Sequence, residues 1–415
     1  MAPKLFNVSL RMGSLAIKML LMLYMGRYLG LYELGTYGLI AAYVALSIPL
    51  FGMRLEYTIS REIVGLPPSE LVIKLRDEFL FYIFNYMFLI VGCLLWVLLL
   101  SPDLGLKIIF FTVILCILEG LSTLACSNFV ALGRPILSNF IFFLRSSIWV
   151  IPAIALGLYD PSFRTVETII VLWLSGVILS LLMTAYVWRE LPWRETLSIP
   201  FDTRLLYLNL KKIYPLWISE ISMVAAININ RFVVEYYLDR EFVGIISFYG
   251  AFTVAISSLL ASGIFAFALP KMITLQKEKA FTELIVLTKS ITVHAIISAI
   301  MLSLVIGIAI PILGDFMERP EFREHALVLW LMLIATCLTL LTASLQHLSY
   351  ARHQDWAIWG GNYILLVLSA TLNIMMVPIF GFVGVGYSAV LCAIIHGVWR
   401  VYSAFTYHHK SNKHQ

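Results

Sequence analysis

Long apolar runs separated by short polar ones dominate the chain, and the length of each run decides what it can form. Crossing the hydrocarbon core takes about 20 mainly apolar residues as an α-helix. Twelve segments meet that requirement: 5–29, 34–53, 79–101, 107–131, 137–158 and 164–187 in the first half, then 214–238, 243–270, 282–314, 325–350, 355–379 and 381–407. The ninth is long enough to be tilted or partly interfacial. The first carries Arg11 and Lys18 and has no short apolar core followed by a small-residue cleavage site, so it is expected to remain as a membrane helix. An even number of crossings places both termini on one side.

Basic residues orient the array, because short cytoplasmic loops carry the positive excess. With the N-terminus inside, 18 of the 29 Lys and Arg are cytoplasmic and six lie within helices. The outer side then holds five: Lys107, Arg164, Arg240, Arg319 and Arg323. Two polar connections are long, and both are cytoplasmic. Residues 54–78 contain Pro67, Pro68 and the expected N-cap Ser69 ahead of an amphipathic turn or two. Residues 188–213 set Trp188, Trp193 and Tyr207 among basic residues, the pattern of a segment lying in the headgroup layer. The expected organisation is a six-helix bundle over 1–187, a cytoplasmic amphipathic linker over 188–213, and a second six-helix bundle with a short cytoplasmic tail over 214–415.

Composition narrows the function. Apolar residues make up 61% and charged residues 13% of the 415 positions, and the mean hydropathy is +0.91; a soluble domain would show roughly 45–50% and about 25%. No stretch is polar enough for a sizeable soluble catalytic domain. The net charge of +5 is that of cytoplasmic anchoring rather than nucleic-acid binding. Cys93, Cys116, Cys126, Cys337 and Cys392 all sit in apolar runs without ligand spacing and read as small buried hydrophobes. His294, His347 and His396 are too scattered for a metal site.

The halves match at corresponding points. YLGLYELGTYG (28–38) precedes the second span and YLDREFVGIIS (237–247) the eighth, so that Leu34-Gly35 faces Val243-Gly244 in the alignment. TLACSNFVALGR (123–134) lines up with LTASLQHLSYAR (341–352), and Pro161 with Pro378. Ordered matches at nearly one offset indicate a duplicated six-helix unit, the two copies related by an axis along the membrane normal.

These features resemble the multidrug/oligosaccharidyl-lipid/polysaccharide (MOP) exporter superfamily, and within it the polysaccharide transport branch that includes Wzx-type O-antigen flippases. The resemblance rests on RYLGLYELGTYGLIAAY (27–43), NINRFVVEYYLDREFVGIISFYGAF (228–252), SYARHQDWAIW (349–359) and PIFGFVGVGYSAV (378–390), and covers the whole chain. Where family members typically carry an acid before the arginine of the seventh helix, this chain has Asn230 before Arg231. The resemblance implies an all-α polytopic membrane protein of MATE-like fold, with twelve transmembrane helices in two pseudo-symmetric six-helix bundles around a central cavity. It further implies a non-enzymatic flippase that moves an undecaprenyl-diphosphate-linked oligosaccharide, an O-antigen or capsule repeat unit, across the bacterial cytoplasmic membrane. Implied partners are that lipid-linked substrate, membrane lipid, and a polysaccharide polymerase with chain-length machinery. No cofactor is implied, and a coupling ion, proton or sodium, stays open.

Charges inside the spans point to the working residues, because one near the bilayer centre costs about 2.5–3.5 kcal/mol on insertion scales and seldom faces lipid. Arg11 and Lys18 are seven residues apart in the first span, within about 20° of one direction. Arg145, Arg231 and Arg400 lie in the fifth, seventh and twelfth spans. Guanidinium forks and an ammonium suit a diphosphate, and Asn228, with Asn128, Asn139 and Gln346, offers amides to sugar hydroxyls. The expected substrate-binding residues are therefore Lys18, Arg145, Arg231, Arg11, Arg400 and Asn228. Glu119, Glu220 and Glu235 are the ion-coupling candidates, with Glu220, Arg231 and Glu235 on one helix face. An alternative pairing has Arg231 and Glu235 neutralise each other while Arg11 and Arg400 snorkel to the headgroups. Two competing functions remain: an ion-coupled drug or small-solute exporter of the same superfamily, and a polyprenyl-linked sugar enzyme. The enzyme would need a large outer loop as its platform, and the longest outer connection lies near 315–324.

Overall fold

The computed structural model describes residues 2–100, 105–200 and 203–411. The side chains of Lys4, Cys93, Arg204, Tyr207 and Lys410, and all of Lys413, lie outside the described residues. Among the described residues the chain is helix and turn without strand. Six long helical rods fill the first half: α1 (Ala2–Tyr28), α2 (Leu31–Gly52), α3 (Pro68–Leu100), α4 (Leu106–Ala131), α5 (Pro135–Tyr159) and α6 (Val166–Trp188). Six more follow: α7 (Thr203–Tyr237), α8 (Arg240–Lys277), α9 (Phe281–Phe316), α10 (Ala326–Ala351), α11 (Asp355–Phe380) and α12 (Val383–Ser411). Nine of these, among the described residues, are long and apolar enough to cross a membrane. The remaining three, α1, α3 and α7, are 27, 33 and 35 residues long and carry more charge. The protein is a multi-pass membrane protein.

The breaks between rods follow from local chemistry. Gly30, at φ 97°, ends α1: it takes the left-handed conformation that costs glycine least, and both Leu29 and Gly30 donate to the Met25 carbonyl. Pro135 starts α5, where its missing N–H loses no helical bond. Thr165 caps α6 by accepting from the Thr168 amide, and Asp239 caps α8 by accepting from Glu241 and Phe242. Two rods contain a π-helical turn, Leu144–Ile148 in α5 and Ala261–Phe265 in α8.

The two long polar connections depart from the sequence expectation. Helix α3 begins at Pro68 rather than 79, and α7 at Thr203 rather than 214. Polarity marks where the bilayer ends, whereas the helix continues wherever its residues favour it and no glycine or proline stops it. Between α2 and α3 a short helix, Leu55–Glu62, follows two left-handed residues, Met53 and Arg54. The linker holds a 3₁₀ turn at Trp193–Ser198, and its carbonyls at Thr196 and Ile199 accept from the Arg76 guanidinium at the start of α3.

By proximity the chain divides into two units, the first comprising Met1–Tyr24 and Ile40–Ile221, the second Met25–Leu39 and Ser222–Gln415. These boundaries cut within α1, α2 and α7. The first unit packs Leu55, Ile59, Leu71, Leu75, Tyr82, Tyr86, Leu121 and Ile213 into one buried cluster. In the second, α2 and α8 touch backbone to backbone. A Cβ on Gly35 would lie 2.0 Å from the Arg240 carbonyl oxygen, and one on Gly244 would lie 2.2 Å from that of Leu31. Each glycine thus meets the residue four before the other, a reciprocal contact between the two positions that the sequence alignment of the halves had paired. Small residues are what allow helices to approach this closely in lipid, where apolar side chains gain nothing by leaving it.

Candidate functional site

In the first unit the intramembrane charges gather around the π turn of α5. That turn carries Arg145, whose Nε lies 3.1 Å from Glu119 Oε2 on α4, with side chains only 11% and 8% exposed. The second carboxylate oxygen accepts from Trp173 Nε1 on α6 at 2.7 Å. Arg145 also donates to the Thr123 hydroxyl and the Glu119 carbonyl, and Trp149, stacked on Trp173 with centroids 5.8 Å apart, donates to the Arg145 carbonyl. A π turn re-aims one side chain within a helix and recurs at functional sites; here it turns Arg145 toward α4.

Lys18 approaches the same place from α1. Its ammonium lies 5.9 Å from the Phe142 ring centroid, and the Arg145 guanidinium lies 5.4 Å from it. The Lys18 side chain is exposed and forms no ion pair among the described residues. Arg11, one face-turn earlier, donates to Asn139 Oδ1 at 3.2 Å. Both α1 cations therefore meet α5, as their common direction predicts.

Two cations of the second unit, Arg231 and Arg400, have no carboxylate partner among the described residues. Arg231 on α7, half-buried, donates to Asn228 Oδ1 at 2.8 Å and to the Gly38 carbonyl at 3.4 Å. No carboxylate pairs with it among the described residues. The side-chain oxygen of the neighbouring Asn230 is buried without a hydrogen-bond partner. Arg400 on α12 donates to Gln346 Oε1 at 2.6 Å, the Thr342 hydroxyl at 3.2 Å and the Thr339 carbonyl at 3.1 Å. It borders a cleft of about 10 Å³ shared with His396, Asn362 and Ser403, room for a single water. Snorkelling does not describe Arg400, whose guanidinium is held by α10.

The carboxylates of α7 each have a cation of their own. Glu220 belongs to the first unit and takes both Nε and Nη1 of Arg54, at 3.0 and 3.1 Å. Glu235 takes Nε and Nη2 of Arg240, at 2.8 and 2.5 Å, while Arg240 Nη1 donates to the Tyr32 hydroxyl. Neither pairs with Arg231, so the alternative neutralisation of Arg231 by Glu235 gives way to these ion pairs. With Glu119 also held, each of the three ion-coupling candidates has an arginine.

One acid escaped the sequence reading. Glu78 is fully buried on α3, accepts from Asn128 Nδ2 at 2.7 Å, and has no cation partner among the described residues. Its other oxygen and that of Asn128 are buried without hydrogen bonds. Nearby, Glu56 accepts from Tyr82 at 2.9 Å, and burial holds its carboxyl above the ordinary range against that donor. Glu78 sits on the helical stripe of Leu71, Leu75, Tyr82 and Tyr86, all buried; that spacing was the available signal.

No family model and no curated protein matches the sequence. Solved structures do. Lipid II flippase MurJ in an inward closed conformation superposes with a TM-score of 0.77 at 14% identity, over 96% of this chain and 87% of that one. An inward-facing multidrug resistance MATE family transporter of the MOP superfamily gives 0.73 at 13% identity, over 97% and 98%. A MATE in the bent conformation gives 0.57 at 14% identity, over 99% and 97%. At such identities the likeness is one of fold: the chain has the all-α polytopic fold of MurJ and the MATE transporters, the class that its sequence implied.

Proposed function

We propose that the protein is a flippase that carries an undecaprenyl-diphosphate-linked oligosaccharide across the bacterial cytoplasmic membrane by alternating access, with both termini in the cytoplasm. The observation that carries this reading is the sign of the intramembrane charge left over after pairing. Glu119, Glu220 and Glu235 are each held by an arginine, whereas Lys18, Arg231 and Arg400 have no carboxylate partner among the described residues. Uncompensated cations at membrane depth are costly and are retained where they meet an anion. A diphosphate is such an anion, and the guanidinium fork of Arg231 in the second unit and the ammonium of Lys18 in the first are each donors of the kind it takes. Asn228, already oriented by Arg231, and Asn139, oriented by Arg11, offer amides to the sugar. Arg145 acts through Glu119 to fix the wall against which Lys18 lies. Fold likeness to a lipid II flippase supports a lipid-linked substrate, and an oligosaccharide delivered outside would pass to a polysaccharide polymerase and chain-length machinery.

The alternative, ion-coupled export of a small solute, has one observation in its favour: the unpaired, buried Glu78, where a proton or sodium ion would act. The two readings separate in proteoliposomes. Fluorescent undecaprenyl-diphosphate oligosaccharide offered on one leaflet should become accessible to a reagent on the other, while a cationic dye should not move. Dye movement with a static lipid-linked sugar would select the exporter.

A further inference from the structure

The outer side of the membrane is poor in basic residues, and most of those present are neutralised. Lys107 pairs with Glu167, Arg240 with Glu235, and Arg323 with Asp315, while Arg164 donates to the Gly157 carbonyl. Arg319 forms no ion pair among the described residues, and it has company. Arg27, from the end of α1, and Arg319, from the turn after α9, line one cavity of about 370 Å³ together with Tyr28, Met317 and Glu318, all within the second unit. Neither arginine forms an ion pair among the described residues, and Glu318, which also lines the cavity, pairs with neither.

The two side chains are interlocked. Arg319 Nε donates to the Gly26 carbonyl at 3.1 Å, reaching α1. Arg27 lies over the Phe316 ring of α9 at 5.1 Å and over Tyr28 at 5.4 Å. Arg319 spends one nitrogen on this bridge, which leaves its terminal donors for a ligand; Arg27 is held by ring faces alone, which leaves all of its donors. The support is rigid. Phe322, fully buried, stacks on Phe248 at 4.3 Å, and its carbonyl accepts from Tyr249 at 2.8 Å. That fixes the turn on which Arg319 sits. Beside the pair the surface is apolar, with Phe316 70% and Ile312 63% exposed.

We propose that Arg27 and Arg319 form an outer anion site for the diphosphate headgroup of a prenyl-type lipid, the headgroup in the cavity and the chain along Phe316 and Ile312. Two guanidinium forks, neither of them ion-paired among the described residues, match two phosphate groups although the Glu318 carboxylate shares the lining, and the flanking apolar surface selects an amphiphile over free phosphate. The assignment to the outer leaflet rests on the flippase reading; the site would receive the carrier after translocation.

A benzophenone-bearing analogue of farnesyl diphosphate tests this, with the full chain in phosphatidylcholine nanodiscs and the crosslinks mapped by mass spectrometry. Labelling is expected on the peptide that contains Phe316 and Arg319. Arg27→Gln and Arg319→Gln should each reduce it at least tenfold, while Arg27→Lys and Arg319→Lys, which keep the charge and any structural role, should retain about a third or more. Inorganic pyrophosphate should compete at least tenfold more weakly than farnesyl diphosphate. Undiminished labelling in the Gln variants would overturn the site, and equal competition by pyrophosphate would overturn the lipid requirement. Displacement by phosphatidylglycerol at equal mole fraction would overturn the carrier in favour of a phospholipid headgroup. Labelling of α1 near Lys18 is read in the same maps, so failure of the substrate reading shows separately from failure here.

Discussion

Glu119→Gln removes the negative charge from the most enclosed ion pair in the first unit while keeping its size and its acceptor for Trp173. Arg145, 11% exposed, would then be a desolvated cation beside Lys18, with Phe142 as their shared neighbour and no anion near either. Breaking a buried pair from one side costs about 3–5 kcal/mol, because the surviving charge stays buried. At about 2 °C per kcal/mol for a chain of this size, the apparent melting temperature in detergent should fall by about 6–10 °C. Removing both charges, Glu119→Gln with Arg145→Gln, should restore most of that loss, since replacing a buried pair altogether is often neutral. Lys18→Met in the Glu119→Gln background should restore part of it by removing the second cation. The assay is a thermal melt of the parent, Glu119→Gln, Arg145→Gln, their double variant and Glu119→Gln with Lys18→Met, the first four analysed as a double-mutant cycle. Additive losses, with the double variant as unstable as the two singles together, would refute the claim that Glu119 and Arg145 act as a pair.

Three further expectations follow from the packing and the map. Gly35→Ala and Gly244→Ala should each lower the melting temperature by several degrees, because the added Cβ would meet a carbonyl oxygen at 2.0 or 2.2 Å, whereas Gly92→Ala, with nothing within 4 Å, should not. Asn128→Ala should cost about 1–3 kcal/mol by stripping Glu78 of its one donor, while Glu78→Gln should melt near the parent; a stable Asn128→Ala chain would mean that the contact is dispensable. Reporter fusions after Lys212 and after Arg323 should read inside and outside respectively, and the reverse pair would overturn the topology.

Hydrophobic run length made the rods legible, since each of the twelve expected spans falls on a long helix. Where α3 and α7 begin was not, because those starts are set by helix-permissive polar residues that no span count detects. Helical phase carried Arg11 and Lys18 correctly to a single neighbouring rod. For Glu220 and Glu235 it gave no partners, because a direction on one helix does not name the neighbour that meets it. Glu220 is met by Arg54 and Glu235 by Arg240, partners far apart in sequence or across a loop that no periodicity points to. The pairing of Gly35 with Gly244 was legible as a repeat, but only the fold turns the alignment into a contact. Glu78 was hidden for the opposite reason: it was assigned to a loop by its charge although its spacing placed it with Leu75 and Tyr82.

The most direct test of the central claim is the rate of lipid-linked oligosaccharide translocation by proteoliposomes of Lys18→Ala, Arg231→Ala, Lys18→Arg and Arg231→Lys, at matched amounts of inserted protein. If the unpaired cations receive the diphosphate, both alanine variants should lose translocation by at least tenfold. Lys18→Arg should keep much of it, and Arg231→Lys should keep less, because an ammonium cannot reproduce a bidentate fork. Translocation by the alanine variants at the parental rate would contradict the account and leave Lys18 and Arg231 as parts of the scaffold.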